Sequence, residues 1–281
     1  MTADVRIWCG EQRIDAIDPR DRGLAYGDGL FETMRVHDGR IVWWQAHRQR
    51  LARGCAVLRI AMPDAEVLRQ QVDAFAAGCA DGVLKLILTR GVGQRGYAAS
   101  AAQPPTWALM RAELPPPPPS AGLRLRWCAT RLAIQPQLAG IKHLNRLEQV
   151  LARGEWSDPG IDEGLLCDTA GRVVSATAAN VFVLRHGRWL TPPVRDCGIA
   201  GTCRNWLLRH VAGAAEAQLW PADIESADAV ILCNAVRGIL PVAMLGERRW
   251  QPECPVVNLI ARLAEAEPAF ASADTHGTFH S

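Results

Sequence analysis

The sequence predicts a mixed α+β protein built as two domains, and three observations carry that reading. Strand-like and helix-like segments occur on both sides of LPPPPPSAG, Leu114 to Gly122, a run that must be extended because proline fixes φ and lacks an amide donor. Hydrophobic residues make up 49% and charged residues 21% of the chain, enough for a full core and unlike a disordered polymer. The length of 281 residues lies where single cores stop growing and chains divide. The expected division is a smaller N-terminal domain over residues 1–113, a proline-rich interdomain linker over 114–122 and a larger domain over 123–281.

Before the linker, RIWCGEQRI and GRIVWW read as strands around turn residues. An arginine-rich helix is expected from about Trp44 to Leu58, with Trp44, Leu51, Cys55 and Leu58 on its apolar side. A second helix follows Pro63, carrying Val67, Leu68, Val72 and Phe75 at helical spacing, and GVLKLILTR and TWALMRAEL then read as strands. After the linker, LRLRWCAT, EGLLCDT, GRVVSATAANVFVLRHGRWL and DAVILCNAV are strand material, with helices near 143–153, 202–212 and 256–266.

Charge and cysteine usage narrow the function. A net charge of +2, from 31 basic and 29 acidic residues without a block of one sign, leaves no electrostatic footprint for nucleic acid, so a small-molecule ligand is expected. The nine scattered cysteines show no C-x-x-C spacing and read as reduced thiols. Neither a leader-like amino terminus nor a long apolar run is visible, so a cytoplasmic protein without a membrane segment is expected. The seven histidines lack metal-ligand spacing, so no metal site is expected, and His276 and His280 sit in a polar tail, ASADTHGTFHS, that reads as a frayed terminus.

Of the 31 basic residues only Lys85 and Lys142 are lysines. An amine can lose its proton and attack a carbonyl, whereas a guanidinium stays charged, so a surviving lysine is a candidate for imine chemistry as well as for chance retention. Lys142 lies in AGIKHLNRLEQVLAR, where Leu144, Leu147, Val150 and Leu151 form an apolar stripe. That places the amine at a helix mouth, where the dipole and nearby cations favour its neutral form. Lys85 alternates within VLKLILTR like an ordinary half-exposed strand residue.

GVGQRG, Gly91 to Gly96, satisfies G-x-G-x-x-G, but two prolines follow too soon for a dinucleotide-binding helix. A flexible loop is the preferred reading, with closure over a substrate as one role open to it. In TPPVRDCGIAGTCRNWLLRHV, Gly198 and Gly201 lead into an amphipathic helix with Thr202 as its expected cap. Free amides at such a turn bind phosphate, and the same geometry also serves as a plain strand-to-helix connection. The turn at Asn234 and Ala235, after DAVILCNAV, could add donors.

The blocks RGLAYGDGLFETMRV, AHRQRL, LILTRGVGQRGY, LAGIKHLNRLEQVLAR, DEGLLCD, AANVF, GIAGTCR and CNAVRGILPV, in that order between Gly23 and Val242, resemble the branched-chain aminotransferase-like, fold type IV pyridoxal-phosphate enzymes. The resemblance implies a two-domain fold of the D-amino acid aminotransferase type, pyridoxal 5′-phosphate as cofactor bound by the C-terminal domain, and a homodimer. It implies that Lys142 is the Schiff-base lysine and proton shuttle, and that Arg50 clamps the cofactor phosphate together with Ile199, Ala200, Asn234 and Ala235. Tyr26, Thr33 and Arg95 would lie near the substrate. Transaminases of this family usually carry a tyrosine five positions after the lysine, where this chain has Leu147, which favours the lyase branch. The family's glutamate at the pyridine nitrogen is replaced by Ser175, a weaker partner that suits elimination or marks a degraded site. The implied activity is conversion of 4-amino-4-deoxychorismate to 4-aminobenzoate and pyruvate, for folate synthesis. A D- or branched-chain amino acid aminotransferase and a non-catalytic cofactor-binding relic are the alternatives.

Overall fold

The structure, a computed structural model, describes residues 4–99, 103–251 and 254–271; all of the expected frayed tail beyond Ala271 lies outside the described residues. The chain forms two compact units, one made of residues 1–115, 133–150 and 194–202, the other of 116–132, 151–193 and 203–281.

The first unit contains β1 (Val5–Cys9), β2 (Gln12–Ile14), α1 (Arg22–Tyr26), β3 (Gly29–His37), β4 (Arg40–Ile41), α2 (Trp44–Leu58), α3 (Ala65–Ala76), β5 (Asp81–Thr89) and β6 (Thr106–Ala112). Its six strands run in the order β2-β1-β6-β5-β3-β4, antiparallel throughout. Along β3, Leu30, Glu32, Met34 and Val36 are buried while Phe31, Thr33, Arg35 and His37 are half-buried, the period-two pattern of a strand with one face on a core. This strand was not among those expected, because a glutamate at an inward position interrupts the apolar alternation.

Helix α2 turns Trp44, His47, Arg50, Leu51, Gly54 and Cys55 inward, at the i, i+3, i+4, i+7 spacing of one helical face. It meets β3 through Gly54, where a Cβ would lie 2.7 Å from Leu30 Cδ2. Asp64 caps α3 by accepting from the amides of Glu66 and Val67, which satisfies otherwise orphaned donors. Leu68, Val72 and Phe75 of α3 join Leu30, Met34, Leu84 and Leu88 in the core.

The expected consecutive division of the chain is corrected. The first unit's opening segment ends inside the proline run, at Pro115, but residues 133–150 and 194–202 return to that unit. Backbone hydrogen bonds explain the return. The Phe31 amide donates to Lys142 O at 2.9 Å, the Leu144 amide donates to Gly29 O at 3.0 Å, and Gly140 pairs with Ile199 as an isolated bridge.

The second unit contains β7 (Leu123–Leu132), the end of α4 (Leu147–Arg153) from Leu151, β8 (Glu163–Asp168), β9 (Val173–Ala176), β10 (Asn180–Arg185), β11 (Arg188–Thr191), α5 (Thr202–His210) from Cys203, β12 (Ala215–Glu216), α6 (Pro221–Glu225), β13 (Ala229–Asn234), β14 (Gly238–Leu245), β15 (Arg248–Arg249) and α7 (Cys254–Ala266). Its sheet runs β12-β11-β10-β13-β14-β7-β8-β9, with β15 paired to β14. Pairs β11–β12, β14–β7 and β7–β8 are parallel and the rest antiparallel. Leu165, Val181, Val183, Val230, Leu232 and Leu240 lie in its core. The strand material expected over 171–190 forms three strands, broken after Ala176 and at the turn where His186 takes φ +49°. The helix expected over 143–153 begins only at Leu147.

Among the described residues no helix is long and apolar enough to cross a membrane, and no group of three histidine, cysteine or acidic side chains could hold a metal.

Candidate active site

Lys142 is placed by backbone pairing. Its carbonyl accepts from Phe31 and its neighbour His143 bridges Leu30, so the lysine extends the edge of β3. This corrects the helix-mouth placement, since α4 starts five residues later. Lys142 Nζ lies 4.2 Å from the centroid of the Phe31 ring. Burial, and after it the positive charge of Arg50, push the amine from 10.5 down to about 7, with Glu32 opposing. Of the helix dipole and nearby cations expected to favour the neutral amine, the cation is there as Arg50, and desolvation stands in place of the dipole.

Beside it lies a fully buried cluster that was not foreseen. Arg50 donates from Nε to Glu32 Oε1 at 2.8 Å and from Nη2 to Oε2 at 2.5 Å, a bidentate pair. His47 Nδ1 lies 2.6 Å from Glu32 Oε2. Burial lowers the His47 pKa, so the ring is neutral, donates from Nδ1, and leaves a buried Nε2 lone pair without a partner. Burial pushes the Glu32 carboxyl up, but Arg50 and His47 outweigh it and hold the group at about 2. The i, i+3 positions of His47 and Arg50 in the sequence could have signalled a polar inward face, had β3 been recognised.

Arg50 also reaches the turn before α5, donating from Nη1 to Ala200 O at 3.1 Å. The structure thus brings together Lys142, Arg50 and the 198–202 turn. It disagrees with the expected donor set there, because the Ala200 amide is committed to Gly140 O at 3.1 Å, a contact between segments that local sequence does not reveal. Thr202 opens α5, buried, and its Oγ1 has no hydrogen-bond partner among the described residues, so it does not act as the expected cap. A partnerless buried hydroxyl at the head of a nine-residue helix is suited to an anion oxygen.

Thr33 stands on the half-buried face of β3, opposite Lys85. Tyr26 ends α1, and its hydroxyl accepts from the Gly96 amide at 3.2 Å. Arg22 grips the same loop, donating to Gly96 O at 2.8 Å and to Tyr97 O at 3.1 Å while its Nε bonds Asp28. The Gly91–Gly96 loop is thereby strapped to α1 with Arg95 exposed, and no helix follows it among the described residues before β6.

Three expected site residues belong to the second unit. Ser175 is buried on β9, paired with Leu166 of β8. Asn234 shapes its own turn, its Oδ1 accepting from the amides of Val236 and Arg237, with Ala235 buried beside it. Glu163 of β8 accepts from Thr177 Oγ1 and from the amides of Thr177 and Ala178, so this carboxylate organises the turn after β9.

Comparison with known proteins accords with this arrangement. The family model for amino-transferase class IV matches residues 29–245. An aminodeoxychorismate lyase from Vibrio harveyi is 30% identical over 250 residues, covering 86% of this chain and 92% of the relative. A putative branched-chain-amino-acid aminotransferase from Methanocaldococcus jannaschii is 28% identical over 250 residues, covering 85% of this chain and 87% of the relative. The crystal structure of 4-amino-4-deoxychorismate lyase from Pseudomonas aeruginosa is 42% identical, covers 93% of this chain and 99% of its own, and superposes with a TM-score of 0.87. With a near-neutral buried amine on the edge of β3, an arginine on the turn before α5, and a family match across most of both units, the chain belongs to the amino-transferase class IV family.

Proposed function

We propose that the chain is a pyridoxal-phosphate-dependent lyase that converts 4-amino-4-deoxychorismate to 4-aminobenzoate and pyruvate, working as a homodimer in the cytoplasm. The observation that carries this reading is the Lys142 amine, which desolvation and Arg50 bring to about 7, in a chain 42% identical to a lyase of that name.

The residues present fit the cofactor. Lys142 is unprotonated often enough near neutral pH to meet an aldehyde, and Arg50 with the partnerless Thr202 hydroxyl suits a phosphate at the head of α5. Ile199, Asn234 and Ala235 complete our assignment for the phosphate, and Ser175 for the ring nitrogen. When bound, pyridoxal phosphate supplies an aldehyde that condenses with amines and a ring that withdraws electrons from the amine-bearing carbon.

Lys142 Nζ takes the proton from the amine-bearing ring carbon of the substrate and returns one to the departing ether side chain, which leaves as pyruvate. The ring becomes aromatic, and neither water nor an oxidant is consumed. Tyr26, Thr33 and Arg95 are assigned to the substrate. The Ser175 hydroxyl hydrogen-bonds without fixing a proton, as a carboxylate would, so it supports a weaker electron sink. An elimination driven by aromatisation tolerates that better than a transamination does.

Incubation with 4-amino-4-deoxychorismate is expected to yield 4-aminobenzoate and pyruvate in equal amounts. Steady transfer of the amino group to a keto acid would instead establish an aminotransferase. In Ser175→Glu the ratio of transamination to elimination is expected to rise, and an unaltered ratio removes the role given to the serine.

The homodimer is supported by α4, a seven-residue helix on which Leu147, Val150 and Leu151 are 76%, 63% and 65% exposed. A cluster of large exposed apolar side chains marks an interaction surface. Light scattering is expected to give a dimer mass for the wild type and a monomer mass for Leu147→Asp. A dimeric Leu147→Asp would exclude α4 from the interface.

A further inference from the structure

Arg22 is 4% exposed, and all three of its guanidinium nitrogens are engaged. Nε donates to Asp28 Oδ2 at 2.9 Å, Nη1 to Gly96 O at 2.8 Å and Nη2 to Tyr97 O at 3.1 Å. The loop also lies on the stem of this side chain, since a Cβ on Gly93 would sit 2.8 Å from Arg22 Cδ. Residues 91–93 pair with the backbone of residues 20–22, whereas Gly96 and Tyr97 are held by side chains. The Gly96 amide is taken by the Tyr26 hydroxyl, so the backbone leaving Arg95 is fixed at three points before any ligand arrives. The other end of this tie leads towards Lys142. Asp28 is gripped again by Arg90, whose Nε and Nη2 donate to it at 2.7 and 3.1 Å, and it directly precedes β3. There the Leu144 amide donates to Gly29 O, the Phe31 amide to Lys142 O, and Asn145 Nδ2 to Gly27 O at 3.2 Å. Loop and lysine are thus keyed to one short stretch, residues 27–31.

We propose that Arg22 is the positioning residue of the substrate loop, its guanidinium fixing Gly96 and Tyr97 so that Arg95 is presented to the substrate in one orientation. The proposal rests on the assignment of Arg95 to the substrate. A guanidinium suits the task because its planar fork meets a carboxylate and two carbonyls at once, whereas an ammonium is a single point of charge. A loop ordered in advance removes the ordering cost from substrate binding. Losing the strap therefore lowers the apparent affinity by the fraction of molecules whose loop is in place, and leaves the chemistry at Lys142 intact once the loop is filled.

Hydrogen exchange on the pyridoxal-phosphate-loaded protein reads the strap without turnover. In Arg22→Gln, peptides over residues 91–97 are expected to exchange at least about tenfold faster than in wild type, while peptides over β3 and β5 stay within about twofold, because Arg90 still holds Asp28. Arg22→Lys is expected to loosen the loop to a similar extent, since it keeps the charge and loses the fork. In turnover of 4-amino-4-deoxychorismate, Arg22→Gln should raise KM about 10- to 100-fold, as when about one molecule in 10 to 100 has its loop in place, and leave kcat nearly unchanged. Unchanged exchange in the loop overturns the proposal. So does faster exchange across the whole first unit, which marks a purely structural role, or a loosened loop with an unaltered KM. If the wild type instead transfers the amino group to a keto acid, the lyase reading falls, while a raised KM for the amino donor in Arg22→Gln upholds the strap.

Discussion

Lys142→Met abolishes turnover, a loss of at least about 10³-fold, because the variant has no nitrogen to carry the proton between carbon and leaving group. A second readout does not depend on activity. The Lys142 amine is pushed from 10.5 to about 7 by burial and Arg50. Between these values the unfolded chain binds more protons at this site than the folded chain, so the site's contribution to stability rises with pH across that window. Below about pH 7 the penalty is fully present; above 10.5 it is gone. Cofactor-free Lys142→Met is therefore expected to be more stable than cofactor-free wild type at pH 7, with the advantage shrinking as pH approaches 10.5. Urea unfolding of both proteins at several pH values measures this difference. A difference that does not change with pH would show the amine to be solvated, and the assignment of the site would fall with it.

Glu32→Gln is expected to destabilise the protein by roughly 3–5 kcal/mol at neutral pH, the range for breaking a buried ion pair by removing one partner. The substitution keeps the shape of the side chain but leaves the Arg50 guanidinium without a compensating charge, and His47 loses its charged acceptor. The acid limb provides the control. Glu32 is held at about 2 against an ordinary 4.5, so its stabilisation is present above pH 4.5 and lost as pH falls towards 2. The gap between wild type and variant should close over that window. Unfolding measurements that find a loss under about 1 kcal/mol at pH 7 would mean that Arg50 is solvated once Glu32 is gone, contrary to the buried cluster described above.

Part of this cluster was legible in the residues. Arg50 and Lys142 stand in blocks, AHRQRL and LAGIKHLNRLEQVLAR, that carry the family resemblance, and α2 and α3 follow their apolar periodicity. Glu32 was not legible, since a charged residue at an inward strand position reads as a break in the strand until its partners on α2 are known. Helix α4 begins later than its apolar stripe suggests, because Lys142 and Leu144 pair with β3 and the backbone there is extended. Leu147, Val150 and Leu151 then face outward, the reverse of what a stripe of leucine and valine implies for a helix on its own core. The Ala200 amide looked available because its acceptor, Gly140 O, lies some sixty positions earlier in the chain.

By itself the sequence determined which chemical groups exist: two amines among many guanidinium groups, a glycine-bounded turn ahead of a helix, and strands and helices read from periods of two and 3.6. Tertiary structure alone decided which groups act on one another. Proton affinity and ligand access depend on desolvation and on charges a few ångströms away, and here those charges come from Glu32, Arg50, Lys85 and Lys142, which only the folded sheet brings to the two faces of one strand.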